Sequence, residues 1–275
     1  MHKPFYAALL ISLAGLLGCP RRIDFGPHGE VRDSRELLAL VDQAEGAATS
    51  IDAEGQVRFD LPEGQATVGA FVSASAPASL QIQANDFFGR PQSVLACDGQ
   101  RFGLWVAQEE AYYTGPATPE NLARFIRVPL PPEEVVALLL GRAPRIAAPG
   151  WALEVDRQEG AYRLSGTDGQ RSQSLWIDPV TARPVRSEVT SRGGAGYRAR
   201  FGDVQPAPAP FPRMISLESL GAGSPARLEL RASKLALNET IDPARFSPEA
   251  PDGVRVIEVS HRSAKWESLV SPSLE

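Results

Sequence analysis

From Ile51 onward the apolar residues of this chain recur with a period of two. Segments Gln56–Leu61, Gln65–Ala74, Ser79–Ala84, Ser93–Cys97 and Phe102–Gln108 alternate or carry short β-branched and aromatic runs, as strands with one buried face do. They are divided by Glu54-Gly55, Glu63-Gly64, Asn85-Asp86 and Asp98-Gly99, pairs that tolerate the positive φ of tight hairpin turns. Strands resume at Trp151–Val155, Ala161–Gly166, Ser172–Ile177, Val185–Thr190, Tyr197–Phe201, Arg213–Leu217 and Arg227–Ala236, with Asp168-Gly169 as a further turn. Connections this short predict an antiparallel meander, and a single sheet of about ten strands curls. The 24 glycines and 24 prolines suit such a turn-rich β protein. An acidic-Gly-Gln triplet recurs at 54–56, 63–65, 98–100 and 168–170. Its irregular spacing reads as turn chemistry reused, not as a repeat.

Helices interrupt the meander. Asp33 or Ser34 can cap a helix whose apolar face is Leu37, Leu38, Leu40, Val41 and Ala44, stopped near Gly46. Thr118-Pro119-Glu120 is a second start, with a capping hydroxyl and proline at the first helical position. A third opens at Pro131-Pro132 and runs Val135 to Leu140 before Gly141. This VVALLL segment has no polar face, so it is expected against the concave side of the sheet.

The start of the chain bears on location. Met1 to Gly18 combine a short basic opening (His2, Lys3) with an apolar stretch from Phe5 to Leu17, the build of a secretory signal too short to span a bilayer. Leu16-Leu17-Gly18-Cys19 resembles the bacterial lipobox, with Leu17 the one departure where a small residue is commoner. The resemblance implies cleavage after residue 18, an acyl and diacylglycerol anchor (palmitate or a similar chain) on Cys19, and a mature chain outside the cytoplasm. No other cofactor is expected. The division expected is then 1–18 signal peptide, 19–33 tether, 34–259 folded domain and 260–275 tail. Pro20 after the cysteine leans towards the outer membrane, facing the periplasm.

Composition narrows the partners. Residues 19–275 carry 27 basic and 33 acidic side chains, a net charge of −6, with no basic block, which argues against nucleic acid. With Cys19 lipidated, Cys97 has no disulfide partner and reads as a buried small hydrophobe. The mature chain's histidines, His28 and His261, lie in the tether and the tail, away from any firm element. A nucleophile therefore lacks a rigidly held base. Gly221-Ala222-Gly223-Ser224-Pro225 has the wrong spacing for a nucleophile elbow, and no cluster has zinc-ligand spacing. Glu109-Glu110 and Glu133-Glu134 are explained by solvation and a helix dipole. No catalytic residue and no metal site is expected, and the chain is not expected to be an enzyme. The alternating prolines 206, 208, 210 and 212 predict a stiff connector between strands.

Aromatic residues are spread over successive strands: Phe71, Phe102, Trp105, Tyr112, Tyr113, Trp151, Tyr162, Trp176 and Phe201. A curled sheet covered by an apolar helix either fills with side chains or leaves a cavity. Leu175-Trp176-Ile177-Asp178-Pro179-Val180-Thr181-Ala182-Arg183-Pro184-Val185-Arg186 looks like the strand–turn–strand signature of the LolA/LolB-like lipoprotein-sorting superfamily. Leu237 to Phe246, followed by Pro251-Asp252-Gly253-Val254-Arg255-Val256-Ile257, is similar to that superfamily's closing segment. Together they cover roughly the second half of the mature chain.

The resemblance implies a mainly β (α+β) fold, a curved antiparallel sheet forming an incomplete barrel around a few helices, with a hydrophobic cavity for acyl chains. Its receptor type is itself a lipoprotein. Arg58 occupies the general region of the carrier type's functional arginine, and no role is carried over to it. The residues expected to line a ligand cavity are Phe71, Leu80, Ile82, Trp105, Val135, Leu138, Leu139, Trp151 and Trp176. Phe87 and Phe88, at a turn between early strands, are the candidate protruding loop. The function expected is binding of a lipid or lipoprotein acyl chain in outer-membrane transport or assembly, with an envelope protein as a further partner. The alternative is a structural lipoprotein of an envelope complex, with the same fold and a filled core.

Overall fold

The computed structural model describes residues 23–62, 64–205, 210–221 and 225–259. The signal segment, Cys19, most of the alternating-proline loop, the 222–224 stretch and the tail with His261 lie outside the described residues.

One sheet organises the chain. Its strands are β1 (Ser50–Leu61), β2 (Gly64–Ser75), β3 (Ser79–Asn85), β4 (Pro91–Cys97), β5 (Arg101–Val106), β6 (Ala111–Pro116), β7 (Ala152–Asp156), β8 (Ala161–Thr167), β9 (Arg171–Ile177), β10 (Pro184–Ser191), β11 (Gly196–Gln205), β12 (Phe211–Leu220), β13 (Arg227–Leu237) and β14 (Arg255–Glu258). The order across the sheet is β14-β6-β5-β4-β3-β2-β1-β13-β12-β11-β10-β9-β8-β7. It is two antiparallel meanders joined where β1 pairs with β13. β7 and β14 are its two edges, so the barrel is incomplete, as expected.

The sheet has 14 strands among the described residues, twelve of them at the segments the alternation marks. The other two are β6 and β14. β6 follows a single 3-10 turn at Ala107–Glu109, and its Tyr112-Tyr113 pair falls where a strand of six residues shows little period. β14 pairs with β6 in parallel, which no local hairpin signal announces.

Turn chemistry repeats as the triplets suggest. The Asp98 carboxylate accepts the N–H groups of Gln100 and Arg101, both at 2.8 Å. Asp168 accepts those of Gln170 and Arg171 at 2.9 and 2.7 Å. Glu54-Gly55, expected as a turn, is not one. It sits inside β1 at a bulge, where Glu54 pairs with Lys234 and Gly55 with Ala232, leaving Ser233 as the extra residue. A Cβ on Gly55 would lie 2.0 Å from the Arg231 carbonyl oxygen. Glycine here permits close backbone approach, the other meaning glycine has in a strand.

Among the described residues three α-helices pack on the concave side. In α1 (Ser34–Glu45), Asp33 caps by accepting the N–H groups of Arg35 and Glu36 at 2.7 and 3.2 Å, and Leu37 and Val41 are buried. Its C-terminal carbonyls face two guanidinium groups: Arg183 donates to the Ala44 oxygen at 2.7 Å and Arg142 to the Glu45 oxygen at 3.1 Å. Both placements suit the helix dipole. α2 (Pro119–Ile126) is capped by the Thr118 hydroxyl. α3 (Pro132–Leu139) buries Val135, Val136 and Leu138 and packs against β2 and β3, where its all-apolar surface was expected. The three helices and both meanders share one core, from Leu37 and Val41 through Leu80, Phe102 and Leu138 to Leu164, Leu175 and Phe211.

Candidate functional site

Alternation assigns every strand residue to one of two faces. On β1, Ile51 and Ala53 enter the core, and Val57, like Ile82 and Leu139, packs against the cluster of Ala70, Val72 and Leu230. The same face continues beyond α3 to the strand tips. Val57 lies opposite Val68 and Leu230, Phe59 opposite Ala66 and Leu228, and Leu217 opposite Leu228. Val57, Phe59, Leu61, Ala66, Val68, Leu217 and Leu228 are only half-buried.

On the other face, β1, β13 and β10 to β12 carry ion pairs, while β2 carries Gln65, Thr67, Gly69 and Phe71. Arg58 pairs with Asp60 at 3.1 Å, Glu229 receives Arg227 and Arg231 at 2.6 Å each, and Arg198 bridges Glu188 and Glu218 at 2.7 and 3.1 Å. Strand tips with water on both faces need no such one-sidedness. The strip is the open, half-buried end of the apolar concave face.

The turn between β3 and β4 stands at the same end of the sheet, since Asn85 pairs with Gly69. The Asp86 carboxylate accepts the N–H groups of Phe88 and Arg90 at 2.8 and 2.9 Å and pairs with the Arg90 side chain. That compact turn presents Phe87 and Phe88, which are 97% and 79% exposed. Their rings meet edge to face at 5.6 Å, and Arg90 lies 5.5 Å from the Phe88 centroid. Two phenylalanines held out by an ordered turn are costly in water and useful at an apolar surface.

The remaining expected lining residues divide between the faces. Leu80, Ile82, Val135, Leu138, Leu139 and Trp151 are on the concave side, but Leu80 and Leu138 are packed at 1% and 4% exposure within the core. Phe71, Trp105 and Trp176 point the other way and do not join them. Phe71 alternates with the buried Ala70 and Val72, and Trp105 with Phe102 and Leu104. Trp176 alternates with Leu175 and Ile177, its indole donating to Asp156 at 3.0 Å. The nine residues therefore do not enclose one cavity. Those at the open end (Val57, Phe59, Leu61, Val68, Leu217 and Leu228) were missed, although the period of two in Gln56–Leu61 and Arg227–Ala236 already marks their face.

Burial sets the chemistry of the titratable groups inside. It pushes the Cys97 thiol up to about 11, away from nucleophilic use. It also raises Glu45, whose carboxylate accepts the Ala143 N–H at 2.9 Å. Among the described residues no three His, Cys, Asp or Glu side chains converge as metal ligands.

The fold has counterparts among solved structures. A DUF1329 family protein of Desulfovibrio piger aligns at a TM-score of 0.53 with 10% identity, over 79% of this chain and 98% of that one. What the two share is the fold, which in this chain is a large unclosed curved sheet over helices. A LolA superfamily protein of Nitrosomonas europaea aligns at 0.49 with 14% identity, covering 79% of this chain and 98% of that one. A domain described as outer membrane lipoprotein-sorting, from Vibrio parahaemolyticus, does so at 0.49 with 10% identity, covering 77% and 96%. No family profile and no curated protein matches the sequence. At these identities the likeness to solved structures is one of fold.

Proposed function

We propose that this chain is a non-enzymatic bacterial envelope lipoprotein, anchored through Cys19 to the outer membrane and facing the periplasm. On this reading it holds an acyl chain of a lipid or lipoprotein on the open apolar end of its concave sheet, in lipid or lipoprotein transport or assembly. The observation that carries the reading is the half-buried strip Val57, Phe59, Val68, Leu217 and Leu228, with ion pairs on the opposite face of β1, β12 and β13. Burying about eight methylenes there contributes ~6 kcal/mol, a dissociation constant on the order of tens of micromolar. That is firm enough to hold a chain and weak enough to pass it on. Phe87 and Phe88, at the same end, would touch the donor or acceptor membrane or an envelope partner during the exchange.

A filled-core scaffold remains the second reading, favoured by the packing of Leu80 and Leu138 in the centre. Acyl-chain analysis of the purified full-length lipoprotein separates the two. Acyl chains in excess of the covalent anchor, lost in Phe59→Asp, are expected for a carrier. Anchor chains alone, with no uptake of added palmitate, would overturn the carrier reading and leave the scaffold.

A further inference from the structure

After β13 the chain crosses the outer face of the first meander before returning as β14. This strap contains a 3-10 turn at Pro243–Phe246, contacts β3 and β4, and with them borders a half-open cavity of about 210 Å³. The space is smaller than the ~300–1,000 Å³ that holds a drug-sized ligand, so its occupant is the size of a headgroup. Trp105, Tyr112, Gln81, Arg245, Ser247 and Glu249 supply its aromatic and polar lining.

The charges are unevenly engaged. Arg245 is tied off, donating to Asp52 at 3.0 and 3.5 Å and to Gln81 at 3.4 Å. Glu249 is exposed and close enough to Tyr112 to bear on its phenol, against the opposite pull of Arg101, which is itself paired with Glu258 at 2.9 Å. The Tyr112 hydroxyl is buried without a hydrogen-bond partner, in a residue 4% exposed. It lies over Gly103, where a Cβ would stand 1.7 Å from it, so only glycine leaves it room. What the cavity offers a ligand is thus an indole, a phenol oxygen and a carboxylate. An aromatic face beside an anion attracts an ammonium group.

We propose that this outer-face cavity is a binding site for a small organic ammonium group, held by Glu249, Trp105 and the Tyr112 oxygen. It lies on the face opposite the apolar strip and does not depend on that strip's role. The group can belong to a free amine or to an aminophospholipid headgroup.

The full-length lipoprotein in phosphatidylglycerol nanodiscs, titrated with ethylammonium chloride, tests both sources. The readout is the Trp105 indole N–H resonance, assigned by its loss in Trp105→Phe. A saturable millimolar shift, weakened at least tenfold by Glu249→Gln and also by Tyr112→Phe, is expected for a free amine. A shift that arises only on exchange into phosphatidylethanolamine nanodiscs, and is lost in Glu249→Gln, assigns the site to the headgroup. No shift in either medium, a shift unchanged in Glu249→Gln, or an equal saturable response to sodium acetate would overturn the proposal.

Discussion

The indole N–H of Trp176 donates to the Asp156 carboxylate at 3.0 Å, on the outer face of the sheet. Arg186 lies 3.6 Å from the Trp176 ring centroid and Arg163 5.3 Å. The residue is thus a clasp between β7 and β9 across β8, not part of a ligand surface. Replacing it by Leu removes a hydrogen bond to a charged acceptor, about 1.5–3 kcal/mol, and two cation–π contacts of ~0.5–1 kcal/mol each. Urea unfolding is expected to register a loss of a few kcal/mol, while acyl uptake stays at the wild-type level. Lost uptake in a folded Trp176→Leu protein would place the ligand on the other face.

Leu138 shows why position on the concave side is not enough to make a ligand contact. It is buried among α3, β2 and β3, so Leu138→Ala is expected to cost about 2–5 kcal/mol through the cavity it leaves. A charge there would unfold the chain before it displaced a ligand. Phe59, half-buried at the tip, is the position where a charge tests binding alone. Chemical denaturation of Leu138→Ala and Phe59→Asp side by side should show the first far more destabilised than the second.

The Phe87–Phe88 turn has the opposite balance. Neither ring is buried, so Phe87→Ser with Phe88→Ser is expected to move stability by no more than about 0.5 kcal/mol. If each ring enters an apolar surface during exchange, the pair contributes a few kcal/mol there. Transfer of a fluorescent fatty acid from the protein to vesicles should then slow by tenfold or more. Unchanged transfer would remove this turn from the exchange.

Glu45 gives the chain a pH dependence of definite sign. Burial raises its folded-state pKa above the ordinary carboxylate value, against the pull of the Ala143 N–H and of Arg145 and Arg142. In the window from that ordinary value up to the raised one, the folded chain holds a proton the unfolded chain has released. Its contribution to stability therefore falls as pH rises through the window. Glu45→Gln keeps the acceptor oxygen for Ala143 and removes the charge. Denaturant midpoints from pH 4 to 8 should fall less steeply in the variant just above the carboxylate range. A parallel pair of curves would mean Glu45 is ionised at no cost.

How much of this was legible in the sequence depends on the range of the interaction involved. Asp33, Thr118, Asp98 and Asp168 act on neighbours within three residues, so their caps and turns could be read directly. So could the burial of α3, which follows from a segment with no polar face. The pairing of β1 with β13 and of β14 with β6 joins segments far apart in the chain, and no local pattern encodes it. The candidate site fell between the two. The faces of Trp105 and Trp176 follow from alternation, which sets both on the outer side, apart from the inner residues Leu80, Leu138 and Trp151. The exposure of Phe87 and Phe88 depended on a turn that Asp86 closes, and an Asp before two aromatics can equally fold them under.

Two strand glycines make the last prediction, because the sequence places a turn at Gly55 and a strand at Gly69 whereas both lie inside strands. Gly55 and Gly69 lie on adjacent strands, β1 and β2. A Cβ at Gly55 would meet the Arg231 carbonyl oxygen at 2.0 Å and the Ala232 Cα at 2.9 Å, both backbone atoms held by the sheet. Gly69 has nothing within 4 Å of that position and does not need positive φ. Gly55→Ala must therefore push β13 off its register at the bulge, and a loss of about 1–3 kcal/mol is expected, as for other overpacked sites. Gly69→Ala instead narrows the unfolded ensemble at no steric cost and should gain about 0.4–1 kcal/mol. Urea midpoints measured on the two variants should move in opposite directions. Equal shifts would mean that β1 and β13 do not approach as closely as the bulge requires, and the joining of the two meanders would have to be redrawn.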